Sequence, residues 1–140
     1  MMIVGFTGTR AGMTSAQKAT VASYLETLDP KTVHHGDCLG ADADFHGLAR
    51  DAGFYVIGHP CDLASQRAYC DLDECRKVLR PLVRNENIVD SSEFMIACPK
   101  SKTEEQRSGT WATIRYCRKK VHPLAIVWPD GSVSLENWNL

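Results

Sequence analysis

Hydrophobic positions follow two rhythms along the chain. Short strand-like runs bounded by glycine or polar clusters occur at residues 2–7 (MIVGFT), 54–58 (FYVIG), 94–98 (FMIAC) and 124–128 (LAIVW), with a briefer TVHH segment at 32–35. Such runs suit strands buried on both faces of a parallel sheet. Between them apolar residues recur at helical spacing. Val21, Leu25 and Leu28 lie within residues 15–28, Ala41, Phe45, Leu48 and Ala49 within 40–51, and Trp111, Ile114 and Cys117 within 109–120. Thr14 is a good N-cap for the first helix and Asp29-Pro30 a stop. Residues 82–90 read as a helix or turn, and 132–135 as a small added strand after the Pro129-Asp130-Gly131 turn. Residues 99–107 form a polar loop without an apolar anchor, a candidate flap. Residues 61–80 are polar, rich in cysteine and charge, and carry no clear period.

Alternating strands and helices predict a Rossmann-like, three-layer α/β fold with a mainly parallel sheet, one domain over residues 1–140. Right-handed crossovers favour the strand order 3-2-1-4-5, which sets the first and fourth strands side by side at the switch point where such folds bind ligands. Three turns then share one crevice. They are Gly8-Thr9-Arg10, the segment from Gly36 to Asp42 (GDCLGAD), and Ser108-Gly109-Thr110. Helix N-termini present free amides that favour anions, so the set predicts a site for a phosphorylated ligand.

Each candidate side chain admits a plainer use as well. Thr9 and Arg10 can meet a phosphate or ribose, or form a tight turn with an exposed arginine. Gly36, Gly40 and the small Ala41 permit close approach of a ligand to the chain. Asp37 and Asp42 can bond ribose hydroxyls or cap the helix, and Asp42 equally suits the first turn of a helix dipole. Arg84 and Asn85 suit two-pronged binding of phosphate or carboxylate, against a solvated arginine. Ser108, Gly109 and Thr110 offer adjacent amides and hydroxyls that serve either an anion or a cap. Of His34 and His35 one is expected to pack and the other to face the crevice; neither reads as catalytic.

Composition narrows the classes. A hydrophobic fraction of 44% and a charged fraction of 24% are ordinary for a globular chain. The net charge of -1 supplies no bulk field for nucleic acid or membrane. Two local basic clusters, Arg76, Lys77, Arg80 and Arg84 and then Arg115, Arg118, Lys119 and Lys120, read as solvated helix faces. The apolar start is short and lacks a basic lead, and no run approaches a membrane span, so a cytoplasmic location is expected. The 6 cysteines form no C-x-x-C pair. Cys98 and Cys117 read as reduced core thiols, Cys61, Cys70 and Cys75 with His59 lack paired zinc spacing, and Cys38 has no evident activator as a nucleophile. No metal and no cofactor is predicted.

Taken together, residues 3–10, 35–53, 84–99 and 108–128 resemble the SLOG superfamily, which includes the LONELY GUY phosphoribohydrolases, the proteins named lysine decarboxylases, molybdenum-cofactor carriers and DNA-processing protein A. The order of Arg84-Asn85, an apolar strand and Gly109-Thr110-Trp111 is most similar to its YspA-like branch. The resemblance implies a Rossmann-like fold, a nucleotide or nucleotide-derived ligand and a homo-oligomer. Leu135, Trp138 and Leu140 could pack across such an interface or back onto their own domain. The phosphoribohydrolase motif Pro-Gly-Gly-x-Gly-Thr-x-x-Glu is kept in part. Gly109-Thr110 match it, Gln106-Arg107 replace the paired glycines, and Thr113 stands at the glutamate. Three readings follow. The first is a nucleotide-binding sensor or sequestering protein. The second is an N-glycosidic hydrolase of nucleoside monophosphates, with no catalytic residue assigned. The third, which the charge disfavours, is a nucleic-acid-binding module like the recombination mediators.

Overall fold

In a computed structural model describing residues 2–138, the chain forms a seven-stranded sheet between two pairs of helices. The elements are β1 (Ile3–Gly8), α1 (Ser15–Leu28), β2 (Thr32–His35), α2 (Ala41–Asp51), β3 (Tyr55–Gly58), β4 (Glu74–Cys75), α3 (Pro81–Ser91), β5 (Phe94–Cys98), α4 (Gly109–Lys120), β6 (Leu124–Val127) and β7 (Val133–Glu136). The sheet order is β4-β3-β2-β1-β5-β6-β7. The five strands read from the sequence keep their expected order, and two edge strands extend it. Parallel β4 comes from the stretch without a legible pattern, and β7 pairs antiparallel with β6.

Burial on both faces explains the unbroken apolar runs. Phe94, Ile96 and Cys98 face a core shared with Val21 and Leu25 of α1 and Phe45 and Ala49 of α2. Alternate residues Met95 and Ala97 face a second core with Ile88 and Val89 of α3 and Trp111, Ile114 and Cys117 of α4. Thr14 and Gln17 form a capping box at α1, and buried Gln17 donates to the Pro99 and Val127 carbonyls, tying α1 across the ends of β5 and β6. Trp138 packs edge-on against Phe94, so the C-terminal segment folds onto its own sheet there; Leu135 is exposed, and Leu140 lies outside the described residues. No described helix is long and apolar enough to cross a membrane.

Candidate functional site

Beyond the carboxyl ends of β1 and β2 lies a cavity of about 700 Å³. All three glycine turns reach it: Gly8, Thr9 and Arg10 after β1, Gly36 and Asp42 around the next turn, and Ser108, Gly109 and Thr110 at α4. Arg84 and Asn85 line it from α3. Its wall carries five cations, Arg10, Arg84, Lys100, Arg107 and Arg115, against two carboxylates, Asp42 and Glu105. An excess of positive charge in a cleft concentrates anionic ligands.

The α4 N-terminus is the open anion position. Ser108 Oγ accepts the Trp111 N–H at 3.2 Å, leaving the Gly109 and Thr110 amides at the cavity wall. The polar loop before it is tethered after all, by charge. Arg115 donates to the Glu104 carboxylate at 2.8 Å and to the Glu105 and Gln106 carbonyls at 3.4 and 3.2 Å. That contact holds the strand of loop that places Lys100 and Arg107 at the cavity.

Arg84 is a buried cation, which corrects its expected place on a solvated face. It is 6% exposed, and its Nη1 donates to the Gly36 carbonyl at 2.7 Å and the His59 carbonyl at 3.1 Å. Cys38 Sγ lies 3.5 Å from both terminal nitrogens, and Nε has no partner among the described residues. Nη1 is thus committed to the chain, Nη2 meets only the Cys38 sulfur, and Arg84 brings to the cavity a charge with no direct ion pair among the described residues. Cys38 also lines the cavity, but burial pushes its thiol up to about 11 and keeps it protonated despite the guanidinium.

The Gly36–Asp42 turn offers less of an amide cradle than the α4 N-terminus, because four of its donors are used internally. The Asp37 N–H donates to His35 Nδ1, Cys38 N–H to Asp42, Leu39 N–H to the Gln66 carbonyl and Ala41 N–H to the Thr9 carbonyl. Gly40 and Ala41 do not line the cavity; Gly40 packs on the Arg10 backbone and Ala41 on Gly8. Asp37 is fully buried away from the cavity, accepting from Arg67 at 3.0 Å and from the Cys70 N–H at 2.9 Å. Asp42 does face the cavity, and burial pushes its carboxyl up to about 6 against the pull of Arg84.

Both His34 and His35 are buried, and neither lines the cavity. His34 Nδ1 meets His59 Nε2 at 2.7 Å. His35, His46 and Cys70 are close enough together to suggest a metal. Proton accounting argues otherwise. His35 Nδ1 accepts the Asp37 N–H, so Nε2 carries the proton and donates to His46 Nδ1 at 3.0 Å; His46 Nε2 then donates to Asp71 at 2.6 Å. His35 has no lone pair left for an ion. Cys61, Cys70, Cys75 and His59 do not assemble as a metal cluster among the described residues.

Thr113 is buried on α4, donates to the Gly109 carbonyl at 2.9 Å and does not line the cavity. Sequence reasoning missed Leu63, Gln66, Pro81, Leu82, Lys100, Arg107 and Arg115 as cavity residues. Nothing local marks Leu63 or Gln66; the apolar Leu82 beside Pro81 at a helix start was the available signal for α3.

No family model matches the chain, and no match is found among curated proteins. Solved structures do match. The X-ray structure of TM1055, a structural-genomics target, aligns with a TM-score of 0.65 at 16% identity, over 89% of this chain and 72% of that one. DNA processing protein A (DprA) from Streptococcus pneumoniae aligns with a TM-score of 0.66 at 18% identity, over 90% of this chain and 50% of that one. At these identities the likeness shows the fold alone, a three-layer α/β arrangement.

Proposed function

We propose that this chain binds a nucleotide or nucleotide-derived ligand in the cavity, phosphate at the α4 N-terminus, and serves as a sensor or sequestering protein. The observation that carries the reading is charge. A buried guanidinium with no direct ion pair among the described residues shares the wall with four further cations, against the carboxylates Asp42 and Glu105. Asp42 offsets part of that charge, and a bound anion offsets the cationic excess that remains. The order of Arg84-Asn85, β5 and Gly109-Thr110-Trp111 supports the YspA-like branch of the SLOG proteins.

Calorimetry with nucleoside monophosphates tests this. Exposed Arg107 and Arg10 form no ion pairs among the described residues, so Arg107→Ala and Arg10→Ala should leave the fold intact. At least one should weaken binding by about 1.5–3 kcal/mol, the worth of a charge-assisted contact. Failure of the parent protein to bind any monophosphate removes the reading.

Asp42 favours a second reading, N-glycosidic hydrolysis. A cavity carboxyl titrating at about 6 is suited to proton transfer near neutral pH. Release of free base, followed by chromatography and abolished by Asp42→Asn with binding retained, would establish it. An inactive parent protein leaves the binding reading.

A further inference from the structure

Residues 61–80, which carry no legible pattern, fold back to the cavity. Asp37 anchors them: its carboxylate takes Arg67 and the Cys70 N–H, and its carbonyl accepts the Ala68 N–H at 2.8 Å. The Leu39 N–H donates to the Gln66 carbonyl at 2.9 Å. Cys61 bridges Leu79, and the Asp62 N–H donates to the Leu79 carbonyl at 3.0 Å, which brings the segment after β3 beside the start of α3. Leu63 and Gln66 of this segment thereby line the cavity together with Pro81 and Leu82.

The cavity is consequently two-sided. Toward β5 stand the α4 amides and Arg107. Toward β3 stands Leu63, 44% exposed, while Leu82 of α3, 59% exposed, stands between the two sides and also meets Ala112 and Arg115 of α4 across a neighbouring groove. Leucines left in water on the wall of a cleft are surface for a ligand's apolar part, and nearby polar groups set its orientation.

Resting on the nucleotide reading above, we propose that the Leu63 and Gln66 side, bordered by Leu82, is the base subsite. Leu63 and Leu82 cover the faces of a planar heteroaromatic base, and the Gln66 amide, donor and acceptor at once, reads its edge. Asp37 acts as a positioning residue through the segment it holds.

The experiment is calorimetry with five probes: ribose 5-phosphate, AMP, GMP, CMP and UMP. The parent protein should bind at least one monophosphate more tightly than the sugar phosphate. Leu63→Ala and Leu82→Ala, both at exposed positions, should each weaken that monophosphate on the order of tenfold, as expected for lost apolar burial. Ribose 5-phosphate should stay within about twofold. Gln66→Ala should change the ranking among the four bases. Equal losses for sugar phosphate and nucleotide, or no loss for either, overturn the inference. A parent that binds ribose 5-phosphate as tightly as every monophosphate removes the base subsite alone; a parent that binds none of the five probes removes the nucleotide reading as well.

Discussion

A methyl group on Gly40 would sit 2.2 Å from the Arg10 carbonyl oxygen, at a φ of +90° that L side chains avoid. Neither problem can be relieved by turning a flexible side chain, since the neighbour is backbone. Gly40→Ala should therefore destabilise the fold by roughly 3 kcal/mol or more, read as a lower urea midpoint. Gly47, on α2, is the contrast: an added Cβ there meets nothing within 4 Å, and Gly47→Ala should stabilise by about 0.5–1 kcal/mol. Gly36 belongs to the cavity instead, since a Cβ there would press on Arg84 at 2.5 Å and Asp42 at 2.8 Å. All three lie within one short stretch of sequence. Spacing marked Gly36 and Gly40 as a turn, but which one guards the cavity and which one holds the backbone depends on chain segments remote in sequence.

At the scale of elements, α1, α2 and α4 were legible because caps and apolar stripes are local features. Residues 61–80 were not, because their order comes from partners far along the chain. Asp37 holds Arg67 and Cys70 from 30 and 33 residues away, and Arg50 of α2 pairs with Asp73 at 2.6 Å. Replacing Asp37 with Asn removes the charge opposite Arg67 while keeping the shape. The expected result is a loss on the order of 3 kcal/mol in urea unfolding. Faster amide hydrogen exchange should be confined to the segment it anchors, around residues 61–72. Uniform exchange across the molecule would instead mark Asp37 as an ordinary core residue.

For the whole molecule the decisive titration is that of buried histidines. Burial is the largest cause holding His34, His35 and His59 below the usual range, with Arg76 adding to it for His34 and neighbouring imidazoles for His35 and His59. Between pH 6.5 and about 4 the unfolded chain binds more protons than the native one, so stability falls as pH falls through that window. Asp42, raised to about 6 by burial, works in the opposite sense, its native state holding a proton that the unfolded state releases. Three groups outweigh one. The urea midpoint should drop from pH 7.5 to pH 5, with a net loss on the order of 3 kcal/mol; an unchanged midpoint would show these imidazoles to be solvated. The sequence by itself determined the alternation of strands and helices, the order of five strands and the meeting of three turns, because periodicity, capping and crossover handedness are short-range or topological rules. Only the tertiary structure decided which turn offers free amides, that Arg84 is buried, that Asp37 anchors a segment rather than facing the cavity, and that Leu63 and Leu82 share its wall. Those outcomes depend on which donors are already satisfied and which charges lose water, and both are set by contacts across the chain.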